Sequence, residues 1–254
     1  MTRHLYAEWT KLRTLPGTGR LLLALVMLTL AVSVAAAAVV SCTSPGCGHD
    51  PAKISLFGIQ AGQAVVAVLA VLAISGEFGT GMIRTTLAAM PGRIGVLAAK
   101  AVILTGLTLA AGSVAVLASA LAGRRILLDN GFTSELPALT SGPMLRAAFG
   151  SVLYLALIAL FSLGIATAVR DSATAIGVVL GLLYLLPAVI LVVPDADVAE
   201  LLWRISPMNA GLAVQATTHL SSLPLSPWAG LGVLAAWATA ALLGGGLLLR
   251  TRDA

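Results

Sequence analysis

Residues 21–40 read LLLALVMLTLAVSVAAAAVV, twenty positions without a single charge. The hydrocarbon core of a bilayer takes about 20 apolar residues of helix. Lipid offers no partner to backbone N–H and C=O groups, so such a stretch crosses as a helix. Outward from it the pattern recurs, at 55–75, 96–122, 144–169, 174–193 and 227–249. The expected fold class is therefore all-α: a polytopic membrane protein of six transmembrane helices.

Composition agrees. Of 254 residues, 59% are hydrophobic and 10% charged, and the mean hydropathy is +1.01. A soluble domain carries about a quarter charged residues. Six spans and their loops fill the length, leaving no room for a separate soluble domain. The net charge of +5 does not indicate nucleic acid, because the basic residues sit at the ends of apolar runs and form no stripe.

Those basic residues read as topology signals. With a cytoplasmic N-terminus, Arg3, Lys11, Arg13, Arg20, Arg84, Arg93, Lys100, Arg170, Arg250 and Arg252 fall inside. Lys53, Arg124, Arg125, Arg146 and Arg204 fall outside. Ten against five places both termini in the cytoplasm. The outer loops hold six of the ten acids: Asp50, Asp129, Glu135, Asp195, Asp197 and Glu200. Arg124-Arg125 is the exception to the bias. A cleavable leader is the rival reading of 21–40, since Val39-Val40-Ser41-Cys42 looks like a lipoprotein box. The patterned region ahead of it and the five spans behind it argue against that.

Residues 2–14 are not a span. Leu5, Trp9 and Leu12 recur at helical spacing, with Tyr6 beside them and His4, Glu8, Lys11 and Arg13 largely on other faces. This predicts an amphipathic interfacial helix with Trp9 and Tyr6 at headgroup depth. Pro16-Gly17 ends it. Between the second and third spans, residues 77–91 form the inner loop with enough residues to meet a partner. Glu77 and Arg84 are two helical turns apart on one face, Phe78, Met82 and Ile83 supply apolar contacts, and Arg93 and Lys100 anchor the return. On residue chemistry alone, a solvated charged turn fits equally well.

Cys42 and Cys47 share one polar loop, where a disulfide and two free thiols both remain open. His49 and Asp50 beside them are too few for a metal site. Gln60 and Gln63 share a helix face, as do Thr105 and Thr108. Either pair lines a polar pathway or bonds between helices. Gly58/Gly62 and Gly177/Gly181 permit close helix contact, and Pro187 predicts a kink in the fifth span. No ionisable group is expected at mid-span, which speaks against an ion-coupled carrier.

The sequence resembles a known family at several points. Gly-Glu-Phe-x-x-Gly-x-Ile-Arg at 76–84 is similar to the segment after the second span in permease subunits of type-2 ABC exporters. Glu8-Trp9-Thr10-Lys11-Leu12-Arg13-Thr14 resembles the N-terminus of actinobacterial members. Ser206-Pro207-Met208-Asn209-Ala210-Gly211 and the ending Arg250-Thr251-Arg252-Asp253 agree in order and place. The resemblance implies that 2–14, with Glu8, Trp9, Lys11, Leu12 and Arg13, is a connecting helix. Residues 77–91 would hold a coupling helix seated in an ATPase subunit, with Glu77, Phe78, Met82, Ile83, Arg84 and Arg93 in the coupling. Glu77 and Arg84 would touch that subunit or brace the segment against the connecting helix. The stretch 194–227 would cap the pathway from outside. Two copies, identical or merely similar, would form that pathway, with spans one and five meeting across the dimer. Apolar or amphipathic cargo would leave across a bacterial plasma membrane.

The chain has no G-x-x-x-x-G-K-[ST] phosphate loop and no His-Glu-x-x-His or Gly-x-Ser-x-Gly motif. It is therefore expected to carry no catalytic residues, no metal and no cofactor of its own. ATP and Mg would sit on the separate ATPase. The alternatives are a non-transporting membrane anchor or sensor partner, and an ion-coupled secondary transporter.

Overall fold

A computed structural model describes residues 2–14, 16–42, 48–82, 92–132 and 138–251. Those residues form helices and no strand. Among the described residues, six helices are long and apolar enough to cross a membrane. Helix α1 spans Thr2–Thr14, and α2, the first candidate span, Pro16–Val39. A five-residue helix α3 (Pro51–Ser55) precedes α4 (Ile59–Gly79). Then follow α5 (Arg93–Asp129), α6 (Gly142–Val169) and α7 (Ser172–Ile190). Two short helices, α8 (Ala196–Ile205) and α9 (Pro207–Leu212), lead to the last span, α10 (Pro227–Thr251).

Local chemistry explains where several elements begin. Asp50 caps α3 by accepting from the N–H groups of Ala52 and Lys53, with Pro51 at the start of the helix. That separate helix is why the second span begins at Ile59 and not near 55. Asp171 caps α7 through the Thr174 N–H at 2.8 Å. Arg170 ends α6 in the left-handed region, φ 66°, so a two-residue connection turns the chain back into α7. At about 1.5 Å per residue the 37 residues of α5 extend about 55 Å, beyond the ~30 Å core of a bilayer.

Helix α6 is the axis of the bundle. It packs on α10, α4, α5 and α7, and 67% of its most apolar window is buried. Helices α2 and α7 lie at the periphery, with 22% and 17% buried. Where α4 crosses α2, backbones meet: a Cβ on Gly58 or Gly62 would run into the Thr29 carbonyl or hydroxyl oxygen. The Gly58 N–H donates to Ser33 Oγ at 3.0 Å. This glycine pair thus serves packing within one chain. Gly177 faces open space, and Gly181 meets only Leu185 of its own helix.

In α7 the expected disturbance at Pro187 takes the form of a π-helical turn, Gly181–Leu185, immediately before the proline-containing turn. Proline lacks the N–H of a regular ladder and its ring crowds the turn before it. The wider π turn accommodates that.

Gly58→Val is expected to destabilise the bundle by about 1–3 kcal/mol, as an overpacked contact does. Gly177→Val should shift the monomer by no more than about 0.5 kcal/mol. Thermal midpoints in detergent check both.

Candidate functional site

Four charges from three helices meet at one end of the bundle. The Lys100 ammonium, on α5, is 2% exposed. It donates to Glu8 Oε2 of α1 at 2.6 Å, to Glu77 Oε1 of α4 at 2.6 Å, and to the Ala73 carbonyl at 3.1 Å. Lys11 Nζ adds bonds of 3.0 Å to Glu8 Oε1 and to Glu77 Oε1. Glu8 is fully buried and Glu77 is 4% exposed. The formal charges cancel, two against two. Burying charges is costly unless they are paired and hydrogen-bonded, and this arrangement meets that condition for all but one oxygen.

The cluster explains how α1 lies. The face it buries is Glu8 with Leu12, while Tyr6 and Trp9 stay exposed at 76% and 45%. Of the apolar series Leu5–Trp9–Leu12, Leu12 is buried, Leu5 half-buried and Trp9 on the outer side with Tyr6. Buried ion pairing sets the orientation, because leaving Glu8 outside would strand Lys100. Arg13 points to the surface.

Glu77 is likewise not a loop residue. It lies in the last turn of α4, inside the bundle, so its side chain is engaged with α1 and α5. Phe78 packs on the apolar core, and the Arg170 guanidinium sits 5.3 Å from its ring centroid. Such a contact is a cation–π interaction. Met82 is exposed. Arg93 Nη1 donates to the carbonyls of Leu249 (2.9 Å) and Arg250 (3.4 Å), a cation at the C-terminal end of α10 where the helix dipole favours it. Ile83 and Arg84 lie outside the described residues.

The intramembrane polar residues do not form one track. Gln63 is buried, its amide nitrogen donating to Met208 Sδ at 3.3 Å and its oxygen accepting from the Tyr154 hydroxyl. Gln60 is half-buried, and its carbonyl accepts from Tyr184. Thr108 is buried with a hydroxyl that has no partner among the described residues, and Thr105 is half-buried. Gln63 thereby joins α4, α6 and α9, which is interhelical bonding. Gln60 borders a cavity of ≈ 530 Å³ at the opposite end, with Trp203 and Asn209.

At that opposite end Asp50 also accepts from Thr217 Oγ1 at 2.6 Å and from the Thr218 N–H at 3.1 Å. Asn130 Nδ2 holds the carbonyls of Ala37 and Val40. Cys42 is disulfide-bonded and its N–H donates to the Asn130 carbonyl at 3.0 Å. Cys47 lies outside the described residues. Among the described residues no group of three or more His, Cys, Asp or Glu is placed to hold a metal.

Sequence reasoning missed the burial of Glu8, Glu77 and Lys100. One signal was present: the segments assigned to the inner, basic side also hold Glu8 and Glu77, two acids that the positive-inside pattern does not require. No family model and no curated protein matches the sequence.

Two measurements test the cluster. Lys100→Met is expected to cost about 3–5 kcal/mol, the penalty for stranding buried partners. Combining it with Glu8→Gln should cost less than the sum of the single changes. Strictly additive unfolding energies would mean the groups act separately. The second measurement concerns Lys11, outside the spans. Burial alone would lower its pKa, but hydrogen bonds and charge from Glu8 and Glu77 outweigh this and raise it. A raised folded value keeps its stabilisation whole below the ordinary lysine value near 10.5 and loses it as pH climbs through the raised value. A spin label at position 6 should therefore stay immobile up to that pH and gain mobility only above it.

Proposed function

We propose that the chain is the membrane-spanning permease subunit of an ABC exporter. It moves an apolar or amphipathic cargo outward across a bacterial plasma membrane. ATP and Mg reside on a separate ATPase subunit, and a second permease copy completes the pathway. Both termini lie in the cytoplasm, as the ten-to-five split of basic residues suggests.

One observation carries the reading. The N-terminal helix is fastened by buried charges to the end of α4, where the 76–84 motif begins. Force applied to that motif is thereby transmitted to α1, α4 and α5 together. The lipid-facing peripheries of α2 and α7, with Leu23, Met27, Leu185 and Val189 exposed, supply surface for a second copy.

The ion-coupled carrier remains a second reading, because the structure buries two carboxylates near one end of the spans. Reconstitution separates the two. The chain is purified with any ATPase that co-isolates, inserted in vesicles, and assayed for efflux of a fluorescent amphiphile. Efflux is expected to require ATP and to survive a protonophore. Arg84→Glu is expected to abolish stimulation of ATP hydrolysis while leaving membrane insertion intact. Efflux that continues without nucleotide and collapses with the proton gradient would refute the exporter and favour the carrier.

A further inference from the structure

The ion cluster closes one end of a cavity of ≈ 320 Å³ between α1, α2 and α4. That volume lies at the lower end of ligand sites, about 300–1,000 Å³. The walls are apolar, with Leu21, Leu69 and Leu72 along them. The rim is exposed at Leu72, Gly76 and Met82.

The hydrogen-bond inventory of the polar end is uneven. An ammonium has three donors, and all three of Lys100 are spent on Glu8, Glu77 and Ala73. Both oxygens of Glu8 are taken. Glu77 Oε1 accepts from both lysines, while Glu77 Oε2 is buried and, among the described residues, accepts from nothing. A buried acceptor without a donor is destabilising, the more so on a charged group. That oxygen therefore lacks a donor among the described residues. An anionic headgroup would meet a bare carboxylate oxygen, and a purely apolar ligand would leave that oxygen unpaired.

We propose that this cavity binds an amphiphile with a primary ammonium head. Its N–H donates to Glu77 Oε2 and its chain lies against Leu21, Leu69 and Leu72. The inference concerns binding alone and stands apart from whether the chain transports. A membrane phospholipid with an ethanolamine head and a free long-chain amine share this chemistry.

The test uses the full chain in phosphatidylcholine nanodiscs, with native mass spectrometry counting bound dodecylamine. One saturable site is expected. Dodecyltrimethylammonium, equal in charge and chain but without an N–H, should bind about tenfold weaker or more, the range of a hydrogen bond to a charged group. Gly76→Leu fills the cavity without touching the charges, since a Cβ there meets open space, and should abolish retention. Glu77→Gln should erase the preference for the primary amine. Displacement by phosphatidylethanolamine would support a lipid as the natural occupant. Retention of dodecylamine against it would support a free amphiphile. Equal binding of the two heads, or retention that survives Gly76→Leu, would overturn the proposal.

Discussion

The position of Lys100 depends on two carboxylates that arrive from elsewhere in the chain. An ammonium buried that far can stay charged only if it is surrounded by acceptors. Glu8 and Glu77 provide them, and each comes from a different helix. The amphipathic first helix is thus an integral part of the bundle, because its acid completes a charge balance inside it. Removing Lys100 leaves two buried carboxylates with only the half-buried Lys11 between them.

The rest of the architecture is held by close approach. Lipid is as apolar as leucine, so hydrophobic burial does little to draw spans together, and contact between small residues matters more. The crossing of α2 and α4 at Gly58 and Gly62 is one instance. Another joins α6 and α10, where a Cβ on Gly164 or Gly245 would meet the backbone of the other helix. Polar side chains add links between helices, as Gln63 does with Tyr154 and Met208. Charge fastens one end, Asp50 and Asn130 the other, and small residues join α2 to α4 and α6 to α10.

Much of this was legible in the sequence, and the reasons for the remainder are specific. Length and apolarity determine the spans, so six were visible with boundaries shifted by a few residues. The shift at Ile59 arises because Asp50-Pro51 starts a short helix that hydropathy alone does not separate from the span. The burial of Lys100 was hidden because a lysine near a span end ordinarily extends its head to the interface. Its partners lie 92 and 23 residues away, and pairing at such separations has no local signature. The burial of Glu8 on α1 was hidden for the same reason: periodicity reports the apolar residues, and an acid that turns inward beside Leu12 leaves no mark in it. The two glycine pairs look alike as sequence, yet one meets a neighbouring helix and the other does not.

The length of α5 has a mechanical consequence. From Lys100 to Asp129 the helix runs about 43 Å without a break. It is anchored among the charges at the first position, and near the second Asn130 grips the chain that leaves α2. A stiff rod held this way amplifies rotation. A tilt of about 10° about the Lys100 end would carry the Asp129 end sideways by about 8 Å, by simple lever geometry on a helix of this rise. A small rearrangement among four side chains on one side of the bundle would thereby reach the loops on the other along one continuous helix, carrying with it the faces of α2 and α6 packed on it.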